Sequence, residues 1–183
     1  MTWLPTILVL GLAFFGVFLT AVWDGPRLWL GASPSLLPPL VVFAALRAEL
    51  ATISLLAVLG GLWTDALSAN PLGVSVLPLF GIGLGLHRWR DVILRDLSYA
   101  QFVLGLVASA AVPGLTLLLI LTGGNRPLVD WHLLGPWVAG ALVGGGLTPA
   151  CFWGLGWAQA QLAGEVPAAP SFRADREIKR GRY

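Results

Sequence analysis

The sequence from residue 50 to residue 86 is almost entirely apolar and contains one ionisable side chain, Asp65. Two apolar helices joined by a tight turn at residues 68–71 account for this pattern. Asn70 is a favourable N-cap, and Pro71 is a favourable first helical residue because proline lacks only an N–H that has no helical partner there. We therefore expect a helical hairpin with Asp65 near the end of its first helix.

The composition indicates that this hairpin belongs to a membrane protein. Hydrophobic residues make up 57% of the chain and charged residues 11%, with a mean hydropathy of +0.82. Soluble domains carry about 25% charged residues, so this chain has too little polar surface to face water on all sides. We expect an all-α, polytopic integral membrane protein. Cys151 is the only cysteine, which excludes an intramolecular disulfide and indicates a small packing residue.

The first two helices are predicted from an apolar run and from a proline-broken run. Residues 6–22 lie between Trp3 and Trp23, which are about 30 Å apart along a helix and match the apolar thickness of a bilayer. Three prolines limit the second helix to residues 36–46, with Ser35 as its cap. That helix is too short to span, so we expect it to be buried against its neighbours.

The remaining apolar segments complete a prediction of six transmembrane helices. Beyond the hairpin, helices are expected over 98–122 and 134–161, which gives a transmembrane domain of residues 1–163 and a cytoplasmic basic tail of residues 164–183. Proline inside a helix removes a backbone donor and kinks the helix. The expected kinks are at Pro78, Pro113 and Pro149.

The distribution of basic residues predicts the orientation of the chain. With six spans, nine of the 11 lysines and arginines lie on one side of the membrane and only Arg27 and Arg126 on the other. Basic residues near span ends favour the cytoplasm. Both termini are therefore expected in the cytoplasm. A five-span arrangement with an external N-terminus stays open, because the charge bias alone does not exclude it.

Asp65 is the only acidic residue within an apolar span, and it lies about 24 Å along the helix from Glu49, near the outer interface. The next helix offers free N–H groups at its N-terminus. We expect a structural clasp formed by Asp65, Asn70, Pro71 and Gly73; a partner contact and an ion or proton site are the alternatives. A single carboxylate is a poor metal or acid–base site, so no metal, cofactor or catalytic residue is expected.

Small residues recur at four-residue spacing, which lets helix backbones approach closely in lipid. Packing within the chain is one explanation, and a surface for a partner's helix is the other. The pairs are Ala57 with Gly61, Gly81 with Gly85, and Gly140 with Gly144, of which Gly81, Gly85, Gly140 and Gly144 are the candidate partner interface. A separate basic patch, Arg88-Trp89-Arg90, is expected to bind anionic lipid headgroups rather than nucleic acid.

Three short motifs resemble the signature region of the bacterial rod shape-determining protein MreD family. They are Ala45-Leu46-Arg47 at the end of a leucine-rich span, Gly61-Leu62-Trp63-Thr64-Asp65, and Pro71-Leu72-Gly73 at the opening of the next helix. Their order and spacing, the chain length and the six-span layout agree with that family. The signature covers about a quarter of the chain, residues 39–80.

The resemblance implies a non-catalytic scaffold of the cell-elongation machinery in the bacterial inner membrane, supporting peptidoglycan synthesis and cell shape. It implies an MreC-like single-span partner, with the actin-like MreB, the glycosyltransferase RodA and a penicillin-binding transpeptidase as associated proteins. The family is also similar in fold to the substrate-binding S components of vitamin transporters, so such a component is the alternative function. Helix 1 has Gly11, Ala13 and Gly16 but lacks the Ala-x-x-x-Ala pair that those components commonly use for docking.

Overall fold

The computed structural model describes residues 3–22, 35–68, 70–90, 97–123 and 134–163. These residues form six α-helices, and none of them is in a strand. The helices are α1 (Trp3–Val22), α2 (Leu37–Arg47), α3 (Leu50–Ala66), α4 (Val76–Trp89), α5 (Ser98–Thr122) and α6 (Leu134–Ala163). The predicted basic tail, residues 164–183, lies outside the described residues, as do Trp23, Arg27, Arg95 and Arg126.

Within the described residues, three helical segments are long and apolar enough to cross a membrane: Pro5–Val22 in α1, Ser98–Thr122 in α5 and Leu134–Gln161 in α6. The other helices are shorter, with 11 residues in α2, 17 in α3 and 14 in α4. At about 1.5 Å per residue, α3 is about 25 Å long and α4 about 21 Å. The all-helical class is confirmed over the described residues, whereas six complete crossings stay a prediction.

The short helix α2 occupies the centre of the bundle. Every residue from Leu37 to Leu46 is buried, and α2 contacts each of the other five helices. Its two prolines lie in the first turn, where N–H groups have no intrahelical partner. Ser35 Oγ accepts a hydrogen bond from Leu37 N at 3.3 Å. The expectation of a short helix buried against its neighbours is confirmed.

The helices around α2 are joined by specific polar and aromatic contacts. Thr6 of α1 and Thr52 of α3 share a buried hydrogen bond, with 2.7 Å between their Oγ1 atoms. Phe43 of α2 packs edge-on against Phe152 of α6, with ring centroids 5.0 Å apart. The Thr–Thr pair satisfies two hydroxyls where lipid offers no partner, so it fixes α1 against α3 in one register.

The most extensive helix–helix contact is between α5 and α6. A Cβ at Gly105 would overlap the Thr148 side chain, so glycine is needed for the two backbones to approach. Pro113 and Pro149 lie inside these helices, as expected. Pro78 instead lies in the first turn of α4, where proline removes no intrahelical hydrogen bond, so the physical cause of the predicted kink is absent there.

The outer surface of the bundle is apolar. Large hydrophobic side chains are exposed on every helix except α2. On α6, Trp137 and Trp157 are both exposed and lie twenty residues apart, about 30 Å along the helix. Tryptophans prefer the headgroup level on both sides of a bilayer, and this separation equals the bilayer's apolar thickness.

Candidate functional site

The Asp65 carboxylate, near the end of α3, is bound by the segment that leads into α4. Its Oδ2 accepts hydrogen bonds from Gly73 N at 2.8 Å and from Ser75 N at 3.1 Å. Its Oδ1 accepts a hydrogen bond from Ser75 Oγ at 2.5 Å. The side chain is 1% exposed, so these three donors replace its water. We call this arrangement of Asp65, Gly73 and Ser75 the clasp.

Asn70 and Pro71, assigned to the clasp from the sequence, do not contribute as predicted. The helix begins at Val76 rather than at Pro71, so Asn70 is not its N-cap. Asn70 N donates to Ser68 Oγ at 3.3 Å, and the Pro71 carbonyl accepts from Val74 N at 3.3 Å in a turn. The start at Pro71 is wrong because the carboxylate binds N–H groups further along and holds the intervening residues in turns.

The turn requires glycine at position 73. Gly73 has φ of +90°, a left-handed conformation that residues with a Cβ rarely adopt. A right-handed helix cannot continue through such a residue, which is the physical reason for the later start of α4. Ser75 was not among the residues predicted for the clasp, although a serine directly before an apolar helical run is a recognised N-terminal signal. Its hydroxyl binds Asp65 rather than capping its own helix.

The predicted glycine faces separate into internal and open ones. Gly144 packs inside the protein, because a Cβ there would overlap the Ser109 side chain of α5. Its assignment to a partner interface is therefore wrong, since the spacing of small residues does not reveal which helix they face. Nothing lies within 4 Å of a Cβ built at Gly81, Gly85 or Gly140, so these three positions have open space.

The glycines of α4 lie on opposite faces of the helix. A Cβ at Gly83 would come within 2.6 Å of Ile53 Cγ2, so Gly83 faces the core. Gly81 and Gly85 are exposed and lie one turn apart, beside the exposed side chains of Leu77 and Leu84. We call these four outward residues the open face of α4.

The opposite end of α4 carries the predicted lipid-binding residues. Arg88 and Trp89 are exposed and Arg90 is half-buried. His87 Nδ1 lies 3.1 Å from the Ala45 carbonyl, one of the last four of α2, which have no intrahelical donor. The cationic residues therefore lie where the C-terminal ends of α2 and α4 meet, and helix C-termini favour positive charge.

A cavity of about 590 Å³ lies beside the clasp. It is bounded by Ser35 and the first turn of α2, the end of α3, the segment leading into α4 with the first turn of α4, and the facing sides of α5 and α6. None of its described lining residues is ionisable. Its polar lining residues, none of which the sequence places in a ligand-binding site, are Ser35, Thr64, Ser68, Asn70, Ser75, Ser109 and Thr116. Thr64, Ser109 and Thr116 are single hydroxyl residues inside apolar helices, and their spacing in the sequence does not indicate a shared site. Only the fold brings them together.

Over the part of the chain that the structure describes, no three histidine, cysteine, aspartate or glutamate side chains are grouped so that they could hold a metal ion. Comparison of the chain with protein-family models, with curated proteins and with solved structures finds no match. The resemblance to the MreD family, and through it to transporter S components, therefore stays a prediction from sequence motifs.

Proposed function

We propose that this protein is a non-catalytic membrane scaffold that binds the transmembrane helix of a partner along the open face of α4. The observation that carries the proposal is the division of the α4 glycines: Gly83 packs inside, whereas Gly81 and Gly85 have open space where side chains would be. Lipid provides no hydrophobic drive between helices, so association depends on close packing. Small residues allow that packing.

The residues around the two outward glycines fit the same role. Leu77 and Leu84 are exposed beside them and would pack against a second helix on either side of the backbone contact. Arg88 and Trp89 follow at the end of α4, and such residues favour the level of lipid headgroups. A single-span partner aligned along α4 would therefore lie within the bilayer, with its end at the same headgroup layer.

The motif resemblance supplies the identity of the partner. We infer an MreC-like single-span protein as the direct partner, with MreB, RodA and a penicillin-binding transpeptidase as further members of the assembly. The function would be support of peptidoglycan synthesis and rod shape in the bacterial inner membrane. The proposed arrangement has six crossings with both termini in the cytoplasm, supported by the basic-residue bias of nine to two.

The clasp has a definite role in this proposal. It binds the end of α3 to the start of α4 through three hydrogen bonds, two of them to backbone N–H groups. The direction in which α4 leaves the turn, and so the orientation of its open face, is therefore set by a buried polar contact of three hydrogen bonds.

Copurification of the full-length protein with its MreC-like partner tests the proposal. Gly81→Ile and Gly85→Ile add side chains on the open face and should reduce recovered partner severalfold and round the cells. Gly146→Ile is the matched control, because Gly146 is exposed on α6 and equally open, with nothing within 4 Å of a Cβ. All three variants should accumulate in the membrane at wild-type amounts.

Undiminished copurification from both α4 variants would overturn the assignment of the interface. Equal loss from the Gly146→Ile control would show a general effect of bulk in the membrane rather than a docking face. Loss of the variant protein itself would mean that the α4 face packs against another part of the same chain.

A further inference from the structure

The cavity beside the clasp extends deep into the bundle along α5. Its lining includes α5 residues from Ser109 to Ile120, a distance of about 16 Å along the helix. The wall formed by α3 and the segment leading into α4 is polar, whereas the facing sides of α5 and α6 are largely apolar. The cavity thus presents two chemically different walls to one occupant.

The hydroxyl groups of the cavity are mostly committed as donors within the protein. Each hydroxyl has one hydrogen, and once that hydrogen is donated the oxygen can only accept from a ligand. The donations are Thr64 Oγ1 to the Gly60 carbonyl at 2.7 Å, Ser75 Oγ to Asp65 Oδ1 at 2.5 Å, and Thr116 Oγ1 to the Val112 carbonyl at 2.9 Å. The oxygens of Thr64, Ser75 and Thr116 can therefore only accept from a ligand, and such acceptors suit a ligand with several O–H or N–H donors. The Asn70 amide, which also lines the cavity, offers a donor as well as an acceptor.

Ser109 adds an unused polar group at the inner part of the cavity. It is 8% exposed, and its Oγ is buried without a hydrogen-bond partner among the described residues. Pro113, four residues later, has no N–H to donate to the Ser109 carbonyl. A buried hydroxyl without a partner is unfavourable in an apolar environment. Because this Oγ packs beside Gly144, a bound polar group would reach it only when the Ser109 side chain turns toward the cavity.

The apolar wall offers a fixed aromatic surface. Trp137 Nε1 donates to the Ala110 carbonyl at 3.0 Å, which holds the indole of α6 against α5. A Cβ at Gly114 would come within 3.0 Å of Trp137 Cζ2, so the ring packs directly on the glycine. Val112 and Leu117 continue this wall. A flat or chain-like apolar group would pack against these side chains.

We propose that this cavity binds an uncharged small molecule that carries several O–H or N–H donors along one side and an apolar surface along the other. An uncharged ligand matches the lining, whose described residues present hydroxyl, amide and apolar groups. The neighbouring Asp65 carboxylate already accepts three hydrogen bonds and is buried. The volume of about 590 Å³ lies within the range of about 300–1,000 Å³ found for small-molecule sites.

This inference goes beyond the proposed scaffold function and does not depend on it. A ligand of this chemistry can come from the lipid phase, as a glycerolipid with free hydroxyls, or from the external water, as a glycoside. Two probes separate these sources: 1-monooctanoylglycerol, which partitions into the bilayer, and phenyl β-glucoside, which stays in water. The fully O-methylated form of each probe has the same apolar part and no donors.

The test measures the rise in melting temperature of the full-length protein in lipid nanodiscs as each probe is titrated. At least one donor-bearing probe should raise the melting temperature, and its O-methylated form should not. Thr116→Val removes an acceptor oxygen from the cavity and should weaken the apparent affinity about fivefold. Thr122→Val is the matched control, since Thr122 lies on the same helix, donates its hydroxyl to the Leu119 carbonyl and is outside the cavity lining.

The outcomes are distinguishable. Equal melting-temperature shifts with the O-methylated forms would show apolar partitioning and overturn the proposal. Two other results would also overturn it: an equal loss of apparent affinity in Thr122→Val, or no melting-temperature shift with either donor-bearing probe. If Thr116→Val lowers the melting temperature without probe, Thr116→Ser retains the hydroxyl and should restore both stability and affinity. Restored stability without restored affinity would also overturn the proposal.

Discussion

Gly61 of α3 lies directly against the backbone of Val76, the first residue of α4. A Cβ at position 61 would come within 2.9 Å of both Val76 Cα and Val76 N. Backbone atoms cannot move aside as the end of a flexible side chain can, so the close approach of the two helices depends on glycine here. Because Gly61 is one turn before Asp65, the same approach brings the carboxylate within reach of Gly73 and Ser75.

We expect Gly61→Ala to separate the hairpin and to lower the free energy of unfolding by about 1–3 kcal/mol, the usual cost of overpacking. Gly85→Ala is the control, because a Cβ there meets nothing within 4 Å. It should be neutral or stabilising by up to about 1 kcal/mol, as alanine favours helix over glycine. Denaturation in detergent measures both. Equal effects of the two variants would contradict the close contact with Val76.

The clasp predicts an order of stability among Asp65 variants. Asp65→Asn keeps an oxygen that can accept the two backbone N–H groups, so its effect should be mild. Asp65→Leu leaves three hydrogen-bond donors without an acceptor, and each buried donor left unpaired lowers the free energy of unfolding by about 1–3 kcal/mol. This variant should therefore strongly reduce the amount of folded protein.

Glu49→Gln is the control for the loss of a carboxylate, since Glu49 is exposed at the N-cap of α3 and makes no side-chain cap hydrogen bond there. It should melt like the wild type. Equal melting temperatures of Asp65→Asn and Asp65→Leu would contradict a stabilising role for the clasp. Loss of function in Asp65→Asn with wild-type stability would instead favour proton or ion chemistry at this carboxyl group.

Gly144 and Ser109 should be coupled energetically. Gly144→Ala forces a Cβ onto the Ser109 side chain, and we expect it to destabilise the protein itself by about 1–3 kcal/mol. Ser109→Gly removes that obstacle, so the Gly144→Ala penalty should largely disappear in the Ser109→Gly background. Strictly additive melting-temperature changes in this double-mutant cycle would show that the two residues are not in contact.

The proposed orientation predicts a labelling pattern in intact cells. In a Cys151→Ala background, Thr2→Cys, Arg88→Cys and Gly181→Cys should resist a membrane-impermeant thiol reagent, because all three sites are assigned to the cytoplasm. Asn125→Cys should react. Protection of all four sites, or labelling of Thr2→Cys and Arg88→Cys from opposite sides of the membrane, would contradict six crossings with cytoplasmic termini.

The sequence was informative where one local signal acted without competition. The prolines before α2 and in its first turn limited its length, and a single carboxylate in an apolar run requires hydrogen-bond donors, so both features could be predicted. The start of α4 could not, because Asn70 and Pro71 form a good local helix start that is overridden by hydrogen bonds between Asp65 and residues further along the chain.

Glycine roles were equally ambiguous in the sequence. Gly81 with Gly85 and Gly140 with Gly144 have the same spacing. The space beside Gly144 is nevertheless occupied by a neighbouring helix, whereas the space beside the other three is open. Spacing identifies residues that share one helix face, but the rotation of each helix is set by all of its neighbours together. The hydroxyls of the cavity were missed for the same reason, since they come from separate helices and from the segments joining them.

The position of α2 has a consequence for how the chain enters the membrane. A helix of 11 residues is too short to be retained by lipid on its own, and this one has no surface left for lipid, because every residue from Leu37 to Leu46 is covered by other helices. It precedes α3–α6 in the chain, but the helices that cover it are in place only after α3–α6 have been made and inserted. The contacts of α2 can therefore be complete only after α6, the last of the six helices in the chain, has been made.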